Sequence, residues 1–172
     1  MRLFVALHFS SEIKTILLAA IDDLRRQSAG NFTRPENLHL TLAFLGEIEP
    51  DRLNQAEEAA DSIDAKAFDF SLDRLGYWPH NHIFWAGCPQ RQTHLHGLAQ
   101  GLGSRLRARG FLLERRSFSP HVTLVRKMAA APQPLPDLPA CRWHCSEFTL
   151  VRSLSSRGGV NYQKLSRWKL GA

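Results

Sequence analysis

The chain has 172 residues, 44% hydrophobic and 22% charged, with a formal net charge of +6. That length suits one domain or two small lobes sharing a core. No stretch approaches the roughly 18 uninterrupted apolar residues of a membrane-spanning helix, which excludes that class. Apolar periodicity continues almost to Ala172, which excludes a disordered tail protein.

Residues 2–9 alternate as a first strand. The apolar run from Leu3 to Leu7 is short, meets His8 and leads into Ser10-Ser11-Glu12 without a small-residue cleavage pattern, so it does not read as a leader. Ser10 or Ser11 caps a helix with Glu12 in its first turn. Ile13, Ile16, Leu17, Ala20, Ile21 and Leu24 recur on one helical face, and Gly30 ends the region. Arg34-Pro35-Glu36-Asn37 is a turn before a strand over 38–45. Pro50-Asp51 opens a second helix that runs to about Ile63, with Leu53, Ala56, Ala60 and Ile63 inward.

Strands over 68–75 and 83–86 flank the aromatic link Tyr77-Trp78-Pro79-His80-Asn81-His82. A third helix over 91–109 carries Leu95, Leu98, Leu102 and Leu106 and stops at Gly110. A strand over 117–125 precedes an extended loop, 129–140, imposed by Pro132, Pro134, Pro136 and Pro139. Strands over 147–154 and 161–170 are joined by a turn at Arg157-Gly158-Gly159. Helices and strands mix without strict alternation, which predicts an α+β fold with largely antiparallel sheets.

Charge divides unevenly. Residues 1–86 hold 8 basic and 13 acidic side chains, net −5, whereas residues 87–172 hold 14 basic and 3 acidic, net +11. Of the 22 basic residues 17 are Arg, whose planar fork matches phosphate oxygens in pairs. The second half therefore carries a field suited to a polyanion or phosphate ligand. Three cysteines, Cys88, Cys141 and Cys145, do not make a disulfide framework and point to a reducing cytosol. Cys141, His144 and Cys145 lack the second cluster a zinc site needs, so no metal is expected.

One short pattern occurs twice: His39-Leu40-Thr41-Leu42 and His121-Val122-Thr123-Leu124, 82 residues apart. Eight His and six Thr in this length give about 0.3 His-x-Thr by accident. A pair with matching apolar flanks is therefore not noise. Strand alternation sets His39 and Thr41 on one face, with Leu40 and Leu42 behind them, and does the same for His121 and Thr123. If the strands come from related halves, a pseudo-twofold axis places two imidazoles and two hydroxyls around one cleft. In-line displacement at phosphorus needs a base on one side and an acid on the other. Two histidines supply both, and threonine hydroxyls donate to the non-bridging oxygens.

This pair resembles the double His-x-Thr signature of the 2H phosphoesterases. The similarity is closer to the bacterial RNA 2′,3′-cyclic phosphodiesterase branch, once called 2′-5′ RNA ligases. Arg2-Leu3-Phe4-Val5-Ala6-Leu7, the stretch from Arg34 through His39 to Glu47, Phe118-Ser119-Pro120-His121 through Arg126, and Glu147-Phe148-Thr149-Leu150 through Tyr162 to Arg167-Trp168-Lys169-Leu170 all resemble that branch. The resemblance implies one bilobal α+β domain over residues 1–172, two pseudo-symmetric lobes of antiparallel sheet with outer helices around a cleft. It implies hydrolysis of 2′,3′-cyclic phosphate RNA ends to 2′-phosphomonoesters without metal, ATP or other cofactor, and 2′-5′ joining of tRNA halves in reverse. It also implies that His39 donates a proton to the leaving 3′ oxygen, that His121 accepts one from water, and that Thr41, Thr123 and Arg126 hold phosphate.

Strict alternation puts Arg126 on the face opposite His121, so it reaches the cleft only if the strand bulges or ends near Val125. The same parity assigns Phe44 to the core. Tyr77, Trp78 and His82 are candidates for stacking a nucleobase. His8, His80, His94, His96 and His144 receive no role. Two other readings stay open: a noncatalytic RNA-binding module, and a 2H enzyme for small cyclic nucleotides such as a cyclic ADP-ribose phosphate. The expected protein is a cytoplasmic monomer without membrane contact.

Overall fold

The computed structural model describes residues 1–88 and 90–172. Among the described residues, ten strands and three α-helices follow one another as β1 (Arg2–His8), α1 (Ser11–Gln27), β2 (Asn31–Phe32), β3 (His39–Glu47), α2 (Leu53–Asp61), β4 (Phe68–Leu72), β5 (Arg74–Trp78), β6 (Ile83–Gly87), α3 (Thr93–Ala108), β7 (His121–Arg126), β8 (Cys141–Cys145), β9 (Glu147–Ser156) and β10 (Gly159–Lys169). This is the α+β class expected from the sequence.

Local chemistry accounts for the helix ends. The Ser10 hydroxyl accepts from the Ile13 N–H, Glu12 lies in the positive first turn of α1, and Arg25 and Arg26 lie in its negative last turn. Ile13, Leu17, Ala20, Ile21 and Leu24 form its buried face. Pro50 starts a 3-10 turn, Pro50–Arg52, rather than α2 itself, which begins at Leu53. Gly110 takes a φ of +76°, where a side chain would be strained, and so ends α3.

Seven strands form the main sheet in the order β10-β9-β1-β3-β7-β6-β5, and β2 joins it beside β7. Every described pairing of these strands is antiparallel. The sheet falls into two halves, β10-β9-β1-β3 and β7-β6-β5. Between β3 and β7 the described register is one pair, Leu40 opposite Val122. Farther along β7 its edge is taken by β2, with Phe32 opposite Val125, and by Thr33, whose N–H donates to the Leu124 carbonyl. The helices and the two-stranded β4-β8 sheet cover one face, burying Leu7, Leu17, Leu40, Leu102, Val122, Leu124 and Phe70 in a common core. On the other face Phe4, Ala6 and Val151 form a separate small cluster with Tyr162.

Two expectations need correction, and two strands lie where none is expected. The strand drawn over 68–75 is two strands in different sheets: β4 pairs with β8, and after Asp73 β5 pairs with β6. The strand drawn over 117–125 starts only at His121, because Pro120 has no N–H to give to a ladder. Strand β8 lies where only motif residues were considered. Its alternation of buried Cys141, Trp143 and Cys145 with exposed Arg142 and His144 is an ordinary half-buried strand. Strand β2 is too short to show any periodicity.

Candidate active site

The two motif strands meet through the middle residues of their motifs. Carrying the antiparallel register one residue each way from Leu40–Val122 sets His39 opposite Thr123 and Thr41 opposite His121. The two histidines are then diagonal neighbours, a relation that separates residues by about 7–8 Å. A phosphorus centre fits between imidazoles at that spacing.

Each ring is held by the same device. His39 Nδ1–H donates to the Asn37 carbonyl at 2.7 Å, and His121 Nδ1–H donates to the Ser119 carbonyl at 2.8 Å. A carbonyl only accepts, so Nδ1 carries the proton and Nε2 is left to exchange one. The Thr41 hydroxyl lies 3.1 Å from His39 Nε2. Burial is the main reason both imidazoles favour the neutral form. His39 is lowered to about 4, with the Arg126 and His121 charges adding to the effect. His121 is lowered by burial, then by Arg126 and Arg116. Arg126 thus acts on both rings.

Its position is explained by a bulge. Trp85 pairs with Thr123 and Phe84 with Val125, which leaves Leu124 as an extra residue in β7. Leu124 and Val125 are both buried, and Arg126 returns to the exposed, cleft face. The condition stated for Arg126 is met. Strand β3 does the same: Ala6 pairs with Thr41 and Val5 with Ala43, so Leu42 is extra, Leu42 and Ala43 are both buried, and Phe44 emerges at 36% exposure. The assignment of Phe44 to the core is therefore wrong for the reason that rescues Arg126. The two residues occupy equivalent places in the two halves.

A cavity of about 340 Å³ is lined by Arg2, Phe4, His39, Thr41, Phe44, Arg126, Ser153, Ser155, Val160 and Tyr162. Phe4 and Tyr162 pack on the His39 ring at 4.8 and 5.0 Å, and the Arg2 guanidinium stacks 4.8 Å over Phe44. On the other half Trp78 packs edge-on to His121 at 4.5 Å and on Trp85 at 5.3 Å. The Trp85 indole lies so close over Gly76 that a Cβ there would stand 2.2 Å from it. Of the three aromatic-link candidates, Trp78 reaches the site. Tyr77 instead turns its hydroxyl to the Met128 carbonyl at 2.6 Å and to His82 Nδ1 at 3.2 Å, tying the link to the chain after β7. Phe4, Ser153, Ser155, Val160 and Trp85 were not singled out as site residues. Only their shared parity with His39 or Thr123 could have found them.

Cys141 and Cys145 point into the core, where burial raises both thiols, Cys145 to about 12. His144 is on the opposite face, 2.9 Å from Asp69. No group of three or more metal-ligating side chains occurs among the described residues. No helix among them is long and apolar enough to cross a membrane.

Known proteins share this fold. A family model described as LigT like Phosphoesterase matches residues 8–85. The chain is 34% identical over 171 residues to the RNA 2′,3′-cyclic phosphodiesterase of Escherichia coli (strain K12), covering 98% of this chain and 96% of that protein. The RNA 2′,3′-cyclic phosphodiesterase of Thermus thermophilus is 31% identical over 181 residues, covering 99% and 90%. The crystal structure of E. coli LigT complexed with 3′-AMP superposes with a TM-score of 0.91 at 33% identity, covering 98% of this chain and 97% of that one. Fold and site together define a phosphoesterase of the two-histidine class. Within that class, the chain belongs to the LigT-like phosphoesterase family.

Proposed function

We propose that this protein is an RNA 2′,3′-cyclic phosphodiesterase that opens the cyclic phosphate at an RNA 3′ end to a 2′-phosphomonoester. The observation that carries this reading is the pair of imidazoles flanking Leu40–Val122, each pinned through Nδ1 and each presenting Nε2. Water attacks phosphorus from the His121 side, and His121 Nε2 takes its proton. The P–O3′ bond breaks, and His39 Nε2–H gives its proton to the departing O3′. One P–O bond forms and one breaks, and the two imidazoles exchange protonation states, to be reset through solvent.

The assignment of roles rests on asymmetry. The leaving oxygen belongs to a ribose, and the cavity able to seat a nucleoside is lined by His39 and not by His121. The acid is therefore the histidine on the nucleoside side. A donor must carry a proton, and free His39 holds one weakly. The phosphodiester anion beside Nε2 opposes both burial and the Arg126 charge and raises that affinity in the complex. Arg126 and the hydroxyls of Thr41 and Thr123 stabilise the non-bridging oxygens as charge builds on them. No step calls for a metal or other cofactor.

Run backwards with a 5′-hydroxyl in place of water, the same steps form a 2′-5′ linkage, with tRNA halves as candidate ends. The cleft is complete within one bilobal chain, which supports action as a monomer, and three unpaired thiols suit the cytoplasm. Incubation with 2′,3′-cyclic AMP in excess EDTA, followed by separation of the products, tests the reading. The expected product is 2′-AMP at a rate equal to that without chelator. A 3′-AMP product, or activity that returns only with a divalent ion, overturns it.

A further inference from the structure

Beyond the reacting centre, the cleft face carries a second basic pocket. It holds about 170 Å³ and is lined by Glu147, Thr149, Lys164, Leu165, Ser166 and Arg167. Another bulge builds it. Lys164 pairs with Val151, Ser166 with Leu150 and Arg167 with Thr149, which leaves Leu165 as an extra residue. Residues three apart on a regular strand point to opposite faces. Across this bulge Lys164 and Arg167 share one face, the face of Val151, Phe4 and the Tyr162 ring.

The floor of the pocket is polar and fixed. Thr149 is 1% exposed, and its hydroxyl lies 2.7 Å from His8 Nε2 and 3.4 Å from the Ala6 carbonyl. His8 in turn stands opposite His39 in the β1–β3 register, so the pocket begins one strand away from the reacting imidazole. Burial, with Lys164 alongside, lowers His8 to about 3, so the positive charge here comes from Lys164 and Arg167. Arg167 is loosely held by the Glu147 carboxylate at 3.8 Å, an exposed pair of little strength that leaves the guanidinium available to a stronger anion.

We infer that Lys164 and Arg167, above the fixed Thr149 floor, form a phosphate subsite for the RNA backbone phosphate on the 5′ side of the terminal nucleotide. The inference deepens the RNA-end reading above and rests on it. The shape of a nucleotide supports the assignment. When C2′ and C3′ face the two histidines, C1′ with its base leaves the ribose on one side, and C4′ with its 5′-phosphate leaves on the other. The His39-side cavity, with Phe44, Ser153 and Tyr162, occupies one end of the cleft face, and the Lys164–Arg167 pocket occupies the other. Ser153 and Thr149 mark the two ends on one strand, roughly 13 Å apart at the rise of an extended chain, with the Phe4 and Tyr162 rings over Val151 between them. A mononucleotide fills the first cavity only. An RNA end fills both, so the second pocket separates RNA ends from free cyclic nucleotides.

The test compares wild type with the Lys164→Gln/Arg167→Gln double variant on two substrates: 2′,3′-cyclic AMP, and a diadenylate ending in the same cyclic phosphate. The preference for the dinucleotide, as a ratio of kcat/KM values, falls at least about tenfold in the variant, the loss expected for two charge-assisted contacts. The salt dependence of kcat/KM on the dinucleotide becomes shallower by about 0.7 in log–log slope, the loss of one phosphate contact on a single strand. An unchanged ratio, or equal loss on both substrates, overturns the subsite. If wild type opens neither substrate, the activity itself is wrong, and fluorescence anisotropy of an oligoribonucleotide bearing a 2′-phosphate end still decides the subsite. Weaker binding with a shallower salt slope in the variant supports it, and equal binding removes it.

Discussion

The His39 half and the His121 half share a motif, a bulge one residue after its threonine, and an Nδ1 tether to the carbonyl two residues upstream. They differ in everything around it. His39 is packed between Phe4 and Tyr162 at the mouth of a nucleoside-sized cavity, while His121 meets the edge of Trp78. At the equivalent bulge-displaced position one half places an aromatic ring and the other a guanidinium. The shared parts set up two interchangeable proton carriers, and the unshared parts decide which of them faces sugar and which faces water. A duplicated motif can therefore support a directional reaction without any change to the motif itself.

The largest expected effect strikes what the halves share. His39→Ala and His121→Ala each lower kcat/KM on a cyclic nucleotide by at least about a hundredfold. Combining them costs little more, because either loss disables the same proton circuit. Far-UV circular dichroism stays that of wild type, and near-wild-type turnover in either variant would falsify the two-histidine scheme.

Next comes pH, where the halves act as one coupled pair. The reactive form holds a single proton between two imidazoles whose free-protein affinities both lie below the ordinary histidine value of 6.5. Above about pH 6.5 that form is lost by about a factor of ten per unit, so kcat/KM falls with that slope. The limb in kcat lies at higher pH, because the bound anion raises His39. A kcat/KM that holds level from pH 6.5 to 8.5 contradicts the burial of the pair.

The smallest effects separate the halves. Arg126→Ala lowers kcat by about tenfold or more, since its charge serves the transition state. Phe44→Ala raises KM by about fivefold or more with kcat nearly kept, as expected when a stacking surface for a base is removed. Steady-state kinetics on 2′,3′-cyclic AMP read both, and a kcat loss shared equally by the two variants would erase the distinction between the halves.

The motif pair, the helices and the antiparallel character were legible because they rest on short periodicities: two in a strand, 3.6 in a helix. What failed was parity beyond a bulge. Nothing in Leu42-Ala43 or Leu124-Val125 announces that one residue is extra, since two buried apolar neighbours look the same whether a strand bulges or merely enters a core. Strict alternation therefore buries Phe44, which in fact emerges on the cleft face, and Arg126 reaches that face by the same device. The break at Asp73 was hidden similarly, because β4 and β5 each alternate well and only their partners, β8 and β6, show that they belong to different sheets. Tyr77 and Trp78 close strand β5 rather than lying in a link, and strand alternation sends one to the Met128 carbonyl and the other to His121.

The extra residue in each motif strand also sets which changes of length these strands tolerate. Deleting Leu124 would leave Val125 behind the sheet and Arg126 still on the cleft face, one residue closer to His121. Inserting one residue after Val125 would instead turn Arg126 toward the leucines and valines behind the sheet, stranding a cation in an apolar layer at a cost of several kcal/mol. The same insertion after Ala43 would bury Phe44 harmlessly by comparison, while stripping the nucleoside cavity of its ring. Lengthening by a single codon would thus register as a folding defect in one half and as a binding defect in the other.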